Sequence, residues 1–99
     1  MYTRLADQDL VDIFVHIGES DIIAASRFVR QLTSKIEWTA ASGFPGVPRD
    51  DLRSGLKALP FHRRCIYFRA TATEVIILRV LHGHQNLPAD LFSEEQQED

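Results

Sequence analysis

The residues best suited to chemistry stand at the end of one apolar run. Val75, Ile76, Ile77 and Leu78 lead to Arg79, then Val80 and Leu81, then His82, Gly83, His84, Gln85 and Asn86. An arginine and two histidines at the mouth of a strand fit three roles. The first is a reactive edge. Metal-free cleavage of RNA needs a base for the 2′-hydroxyl, an acid for the leaving oxygen and cations for the phosphate. His82 or His84 can supply the acid or base, with Arg79, Arg64, Arg63 or Arg69 as cations. The second is a docking edge, at which Arg63, Arg64, Tyr67, Arg69, Arg79, His82 and His84 contact another molecule. The third is structural: an imidazole hydrogen-bonded at a strand end, and Arg79 paired with a carboxylate of the first helix. No Lys, Arg or Tyr follows Leu81.

Other groupings are weaker. His82 and His84 can share a strand face, but no cysteine or third histidine stands at ligand spacing, so no metal is expected. No cofactor is expected either. Cys65 is the only cysteine, which excludes an internal disulfide and reads as a small buried thiol. Asp50, Asp51 and Arg53 form a carboxylate pair with a clamp on paper, but adjacent carboxylates in a loop more often serve turns and caps.

The totals suit one soluble domain. The chain has 99 residues, 44% of them apolar and 25% charged, enough for one core without staples. No stretch is long and apolar enough for a membrane span, and the start lacks signal-peptide form, so a cytoplasmic location is expected. The net charge of −3 hides a division. Residues 1–42 carry −2, residues 43–85 carry +4, and residues 86–99 carry −5. The basic middle suits an anionic partner, nucleic acid or an acidic protein segment.

Two helices must come first. Leu10, Ile13, Phe14 and Ile17 make one stripe of a helix over residues 7–19, with Asp7, Asp9 and Asp12 near its start. Ile22, Ala25, Val29, Leu32 and Ile36 make a second stripe over residues 21–42, capped by Ser20 or Asp21. The short link folds them into an antiparallel hairpin. Trp38 reads as a core or hairpin anchor. A breaker-rich connection, Gly43-Phe44-Pro45-Gly46-Val47-Pro48, follows, with Phe44 and Val47 expected to pin it to the core.

Three strands are expected over residues 56–61, 64–70 and 74–81, joined by tight turns as an antiparallel meander. Pro60 limits the first to an edge or an early end. In the second, Ile66, Phe68 and Ala70 share one face, and Cys65, Tyr67 and Arg69 the other. Residues 87–92 are expected to form a short helical turn or docking segment. Residues 93–99 have no apolar side chain and read as an acidic disordered tail on a single domain spanning 1–92.

A helical hairpin covers one face of a small sheet. The third strand is nevertheless apolar on both. Strict alternation puts Ile76, Leu78 and Val80 on one face and Val75, Ile77 and Leu81 on the other. Val75, Ile77 and Leu81 are thus the expected apolar face for a partner.

Five segments together resemble the ParE branch of the ParE/RelE toxin superfamily. They are Ala6-Asp7-Gln8-Asp9-Leu10-Val11-Asp12-Ile13, Phe44-Pro45-Gly46-Val47-Pro48, Asp51-Leu52-Arg53-Ser54-Gly55-Leu56-Lys57, Ile66-Tyr67-Phe68-Arg69, and the run from Arg79 to Asn86. The likeness extends from about Ala6 to Phe92. It implies an α+β fold, with the helical hairpin packed on a small antiparallel sheet. Only five residues precede Ala6, so the family's first strand is expected to be missing or vestigial, leaving an exposed edge. The resemblance further implies the toxin of a type II toxin–antitoxin pair, with a role in plasmid stabilisation and a ParD-like antitoxin wrapped over sheet and hairpin. For the ParE branch it implies poisoning of DNA gyrase by binding, with no direct sequence-specific nucleic acid contact. The RelE branch instead cleaves messenger RNA on the ribosome. A degenerate, harmless toxin is the third alternative.

Overall fold

The computed structural model describes residues 1–82, 87 and 89–92. Helix α1 spans Arg4–Gly18 and α2 spans Ile22–Ser42. Four strands follow: β1 Val47–Pro48, β2 Lys57–Phe61, β3 Arg64–Ala70 and β4 Val75–His82. A 3₁₀ turn, Ala89–Phe92, closes the described chain. The strands lie in sequence order in one antiparallel sheet.

Helix α1 starts three residues earlier than its apolar stripe suggests, because Thr3 caps it. The Thr3 hydroxyl accepts from the Ala6 amide at 3.1 Å and donates to the Leu78 carbonyl at 2.8 Å. One buried side chain thus satisfies a free helix donor and ties the helix to β4. Around it the Thr3 amide donates to the Ile77 carbonyl (3.0 Å) and the Ile77 amide to the Met1 carbonyl (2.8 Å). Tyr2 bridges Ile77 in parallel. The first strand is therefore vestigial rather than missing, and it occupies part of the β4 edge.

The end of α2 differs from expectation. Trp38 is 49% exposed and does not anchor the core. Its ring packs against Phe44, 5.8 Å between centroids, and Lys35 sits 4.4 Å above it. Phe44 and Val47 are also exposed; Gly46 brings the connection to the core instead. A Cβ on Gly46 would lie 2.8 Å from Phe68 Cζ and 3.1 Å from the Ala58 carbonyl oxygen, and its φ is +71°. Only glycine combines that backbone with that approach. Val47 and Pro48 then pair with Ala58 and Lys57 as a short edge strand. Because β1 ends there, Pro60 needs no partner on that side of β2.

The sheet divides two cores. On the helix side Ala6, Ile13, Leu32 and Ile36 meet Leu59, Ile66, Phe68, Ile77 and Val80. On the far side Leu56, Ala58, Cys65, Tyr67, Ile76, Leu78 and Leu81 pack with Phe92. The β3–β4 register shifts at Tyr67/Phe68: Tyr67 faces Arg79 and Phe68 faces Ile77, leaving Leu78 as an extra residue. Such a bulge slips the period-2 alternation by one. It overturns the strict grouping of Val75, Ile77 and Leu81. Val75 and Ile77 belong with Val80 on the helix side, and Leu81 joins Ile76 and Leu78 on the far side. The far face is also covered by this chain itself: Phe92 is fully buried, its ring edge-on to Tyr67 at 4.9 Å.

Candidate binding surface

Arg79 is held at the bulge, where the alternation breaks. Its Nε and Nη2 donate to the two carboxylate oxygens of Asp9 on α1, both at 2.8 Å, and Nη1 donates to the Leu91 carbonyl at 3.2 Å. Asp9 also accepts from the Val80 amide at 2.9 Å. The hydrogen-bonded Asp9 carboxylate raises the Arg79 pKa, outweighing the opposing effect of burial. With its side chain 14% exposed, Arg79 joins helix, strand and C-terminal turn, and is not presented as a contact or catalytic group.

Tyr67 is likewise buried rather than displayed, and lines a cavity of about 310 Å³ with Arg49, Arg63 and Arg64. It lies 1% exposed beneath Phe92 because the register puts it on the far face with Cys65. Burial first, then a hydrogen bond with Cys65, pushes its hydroxyl up to about 12. Burial also pushes the Cys65 thiol up, so this cysteine is not an activated nucleophile.

Three of the remaining candidates, Arg63, Arg64 and His82, meet at one end of the sheet. Arg64 and His82 are directly opposite in the β3–β4 ladder. His82 and Arg63 are exposed; Arg64 is half-buried, and burial lowers its pKa. These three share a cavity of about 520 Å³ with His16, Phe28 and His62. Arg69 lies near the opposite end of β3, paired with Ile76, away from this cluster. His84 and the acidic 93–99 tail lie outside the described residues.

Sequence reasoning missed His16 and His62. His62 occupies the first position of the two-residue β2–β3 turn with φ +55°, where glycine is usual. Its ring lies 4.5 Å from Phe61, edge-on, and 6.0 Å from Phe28. His16 comes from α1 and needs the tertiary fold to join the cluster. The Asp50–Asp51 pair proves to be turn chemistry. Asp50 accepts from the Gly55 amide at 2.8 Å, and Arg49 grips Asp51 at 3.0 and 3.1 Å, which holds that carboxyl below its usual value. Arg53 donates to the Phe92 carbonyl, fixing the 3₁₀ turn. Among the described residues no three His, Cys, Asp or Glu side chains gather as a metal site.

A helical hairpin on one face of an antiparallel meander, with cations and imidazoles at the strand ends, defines an α+β protein of the RelE/ParE type. The model of the ParE toxin of the type II toxin–antitoxin system, parDE, matches residues 1–87. Toxin ParE3 of Caulobacter vibrioides is 31% identical over 90 residues, which cover 90% of each chain. The chain belongs to the ParE toxin family, the toxin half of type II toxin–antitoxin pairs, and an antitoxin partner is implied by that membership. No helix among the described residues is long and apolar enough to cross a membrane.

Proposed function

We propose that the protein acts in the cytoplasm as a toxin that inhibits DNA gyrase by binding, and that a cognate ParD-like antitoxin neutralises it. The observation that carries the reading is the family match over residues 1–87. The site supports binding over catalysis. Of the groups read from sequence as possible catalysts, Arg79 is sequestered by Asp9, while Arg63, Arg64 and His82 share one cavity. The helical hairpin offers a protein partner apolar purchase. Val11 and Val15, one turn apart on α1, are 53% and 56% exposed, and Ile22 and Ile23 opening α2 are 64% and 67% exposed. The vestigial strand beside β4 also weakens the case for a degenerate toxin, since the sheet edge is partly occupied.

Supercoiling by purified gyrase tests the target: the reading predicts inhibition, restored by the antitoxin encoded beside this chain. Full activity at large toxin excess would remove gyrase as the target. A ribosome-dependent endoribonuclease is the second reading, favoured by the opposition of Arg64 and His82 in one cavity. It predicts cleavage of ribosome-bound message that His82→Ala abolishes; intact message rules it out.

A further inference from the structure

Two cavities lie against α2 and meet at the β2–β3 turn. The larger, about 600 Å³, is lined by Arg27, Arg30, Ser34 and Lys35 together with Phe61. The other, about 520 Å³, takes Arg63, Arg64 and the histidines His16 and His82. Gln31 and His62 line both, so the two make one continuous groove. We propose that this groove binds the phosphodiester backbone of a nucleic acid strand without reading its sequence.

The charge is one-sided. Arg27, Gln31 and Ser34 fall four and three residues apart on one stripe of α2, flanked by Arg30 and Lys35. Every one of these side chains can donate a hydrogen bond to an anionic oxygen, and two are guanidiniums suited to phosphate. Among the described residues no carboxylate lines either cavity. Acids stand at its His16 end: Asp9 and Asp12 line an adjoining cavity that shares His16, Arg64 and His82, and Glu19 stands 4.0 Å from His16. Asp9 is paired with Arg79, whereas Asp12, which accepts only from the neutral Gln8 amide at 2.9 Å, keeps its charge. The α2 side of the groove, with Arg27, Arg30 and Lys35, is thus its cationic part, on a protein whose net charge is −3.

The apolar distribution selects nucleic acid over an acidic peptide. Protein partners are anchored by exposed apolar side chains at the centre of the contact. The groove has none: Ile17, Phe28 and Phe61 are half-buried against the helix-side core. The large exposed apolar residues, Val11, Val15, Ile22, Ile23, Trp38 and Phe44 among them, line neither cavity. Cations over partly accessible rings, without an apolar anchor, match a phosphate track with room for a stacked base. His62 adds a separate indication. It holds a left-handed backbone at the junction of the two cavities, and such outliers gather where a side chain is needed in place.

The test uses the purified full chain and labelled 20-nucleotide DNA of mixed sequence, single-stranded and duplex, read by fluorescence anisotropy. Binding is expected near 25 mM salt, with log affinity for the single strand falling against log salt with a slope of about −3 for four guanidiniums. Arg27→Glu with Arg30→Glu, and separately Arg63→Glu, are expected to weaken binding by about tenfold or more with an unchanged melting curve. A labelled RNA of the same sequence, which carries the 2′-hydroxyl that DNA lacks, is expected to stay full-length on a gel, which separates binding from cleavage. Absence of binding at low salt overturns the proposal. So does wild-type affinity in both folded variants, or displacement of the DNA by poly-glutamate at equal or lower concentration. None of these readouts involves gyrase, so the proposal stands or falls apart from the target.

Discussion

Asp9 and Arg79 form a two-pronged ion pair, 2.8 Å at both contacts, between the first helix and the last strand. Asp9 is buried and Arg79 largely so, and their spare valences are filled by the Val80 amide and the Leu91 carbonyl. Cutting one partner from a buried pair leaves the other charge uncompensated, at about 3–5 kcal/mol. Arg79→Ala or Asp9→Asn is therefore expected to lower stability by that order in urea unfolding. The joint replacement Asp9→Leu with Arg79→Met is expected to cost less than the sum of the single changes. An Arg79→Ala loss below about 1 kcal/mol would show that the pair is incidental.

Phe92 is the cover of the far core. Phe92→Ala is expected to cost about 3–5 kcal/mol, with the Tyr67 and Leu78 surface newly wet. Increased binding of an apolar dye should accompany the loss. A variant that unfolds at the wild-type urea midpoint, with no added dye signal, contradicts the assigned role.

Gly46 has no substitute. Alanine there meets Phe68 at 2.8 Å in a backbone with φ +71°. Strain and clash together predict a loss of about 2–4 kcal/mol in Gly46→Ala. For a domain of this size that lowers the melting temperature by roughly 10–25 °C. By contrast Gly43→Ala meets nothing within 4 Å, so only its left-handed backbone, φ +70°, is penalised. The ordering of the two variants in a thermal scan is the check; equal melting points would refute it.

Tyr67 sets an alkaline limit. Its folded pKa is raised to about 12 from an ordinary 10.0, so between those values the unfolded chain loses the proton first. The stabilisation is complete below about pH 10 and drains away as pH rises towards 12. Urea unfolding at about pH 9 and about pH 11 should show a larger drop in wild type than in Tyr67→Phe. Tyr2, also raised by burial, contributes to both proteins and cancels from the comparison. Equal drops would mean that Tyr67 ionises freely in the fold.

The hairpin and meander were legible because their patterns are local. The helical stripes lie within a residue or three of the observed helices and the three expected strands within one, while the short edge strand β1 was read as part of the breaker-rich connection. Arg79 was legible as an ion pair with the first helix, since the first turns of α1 hold the nearby acids. Three features escaped. The bulge at Leu78 breaks a periodicity that reading by twos cannot register, which misplaced Val75, Ile77 and Leu81. The self-cover by Phe92 depends on a tertiary contact with Tyr67 and the far face of the sheet that no spacing encodes. The groove unites α2 with strand ends some 30 residues away, so Arg27, Arg30 and His62 looked like ordinary solvated residues. The Thr3 cap was readable in principle, as a threonine opening a helical run, but its bond to Leu78 was not.

Thr3 has one more consequence, in the order of events. Its contacts with Ile77 and Leu78 join positions 74 and 75 residues apart, while the hairpin and meander contacts are mostly short-range. Closing a loop of that length costs about 4 kcal/mol of chain entropy, recovered only once β4 exists to receive it. The N-terminal segment therefore cannot dock before β4 is in place, and packing of α1 on β4 through Asp9 and Arg79 closes the same loop. A chain emerging from the ribosome lacks that seam until β4 has been made, and the vestigial strand acts as a clasp that waits for it.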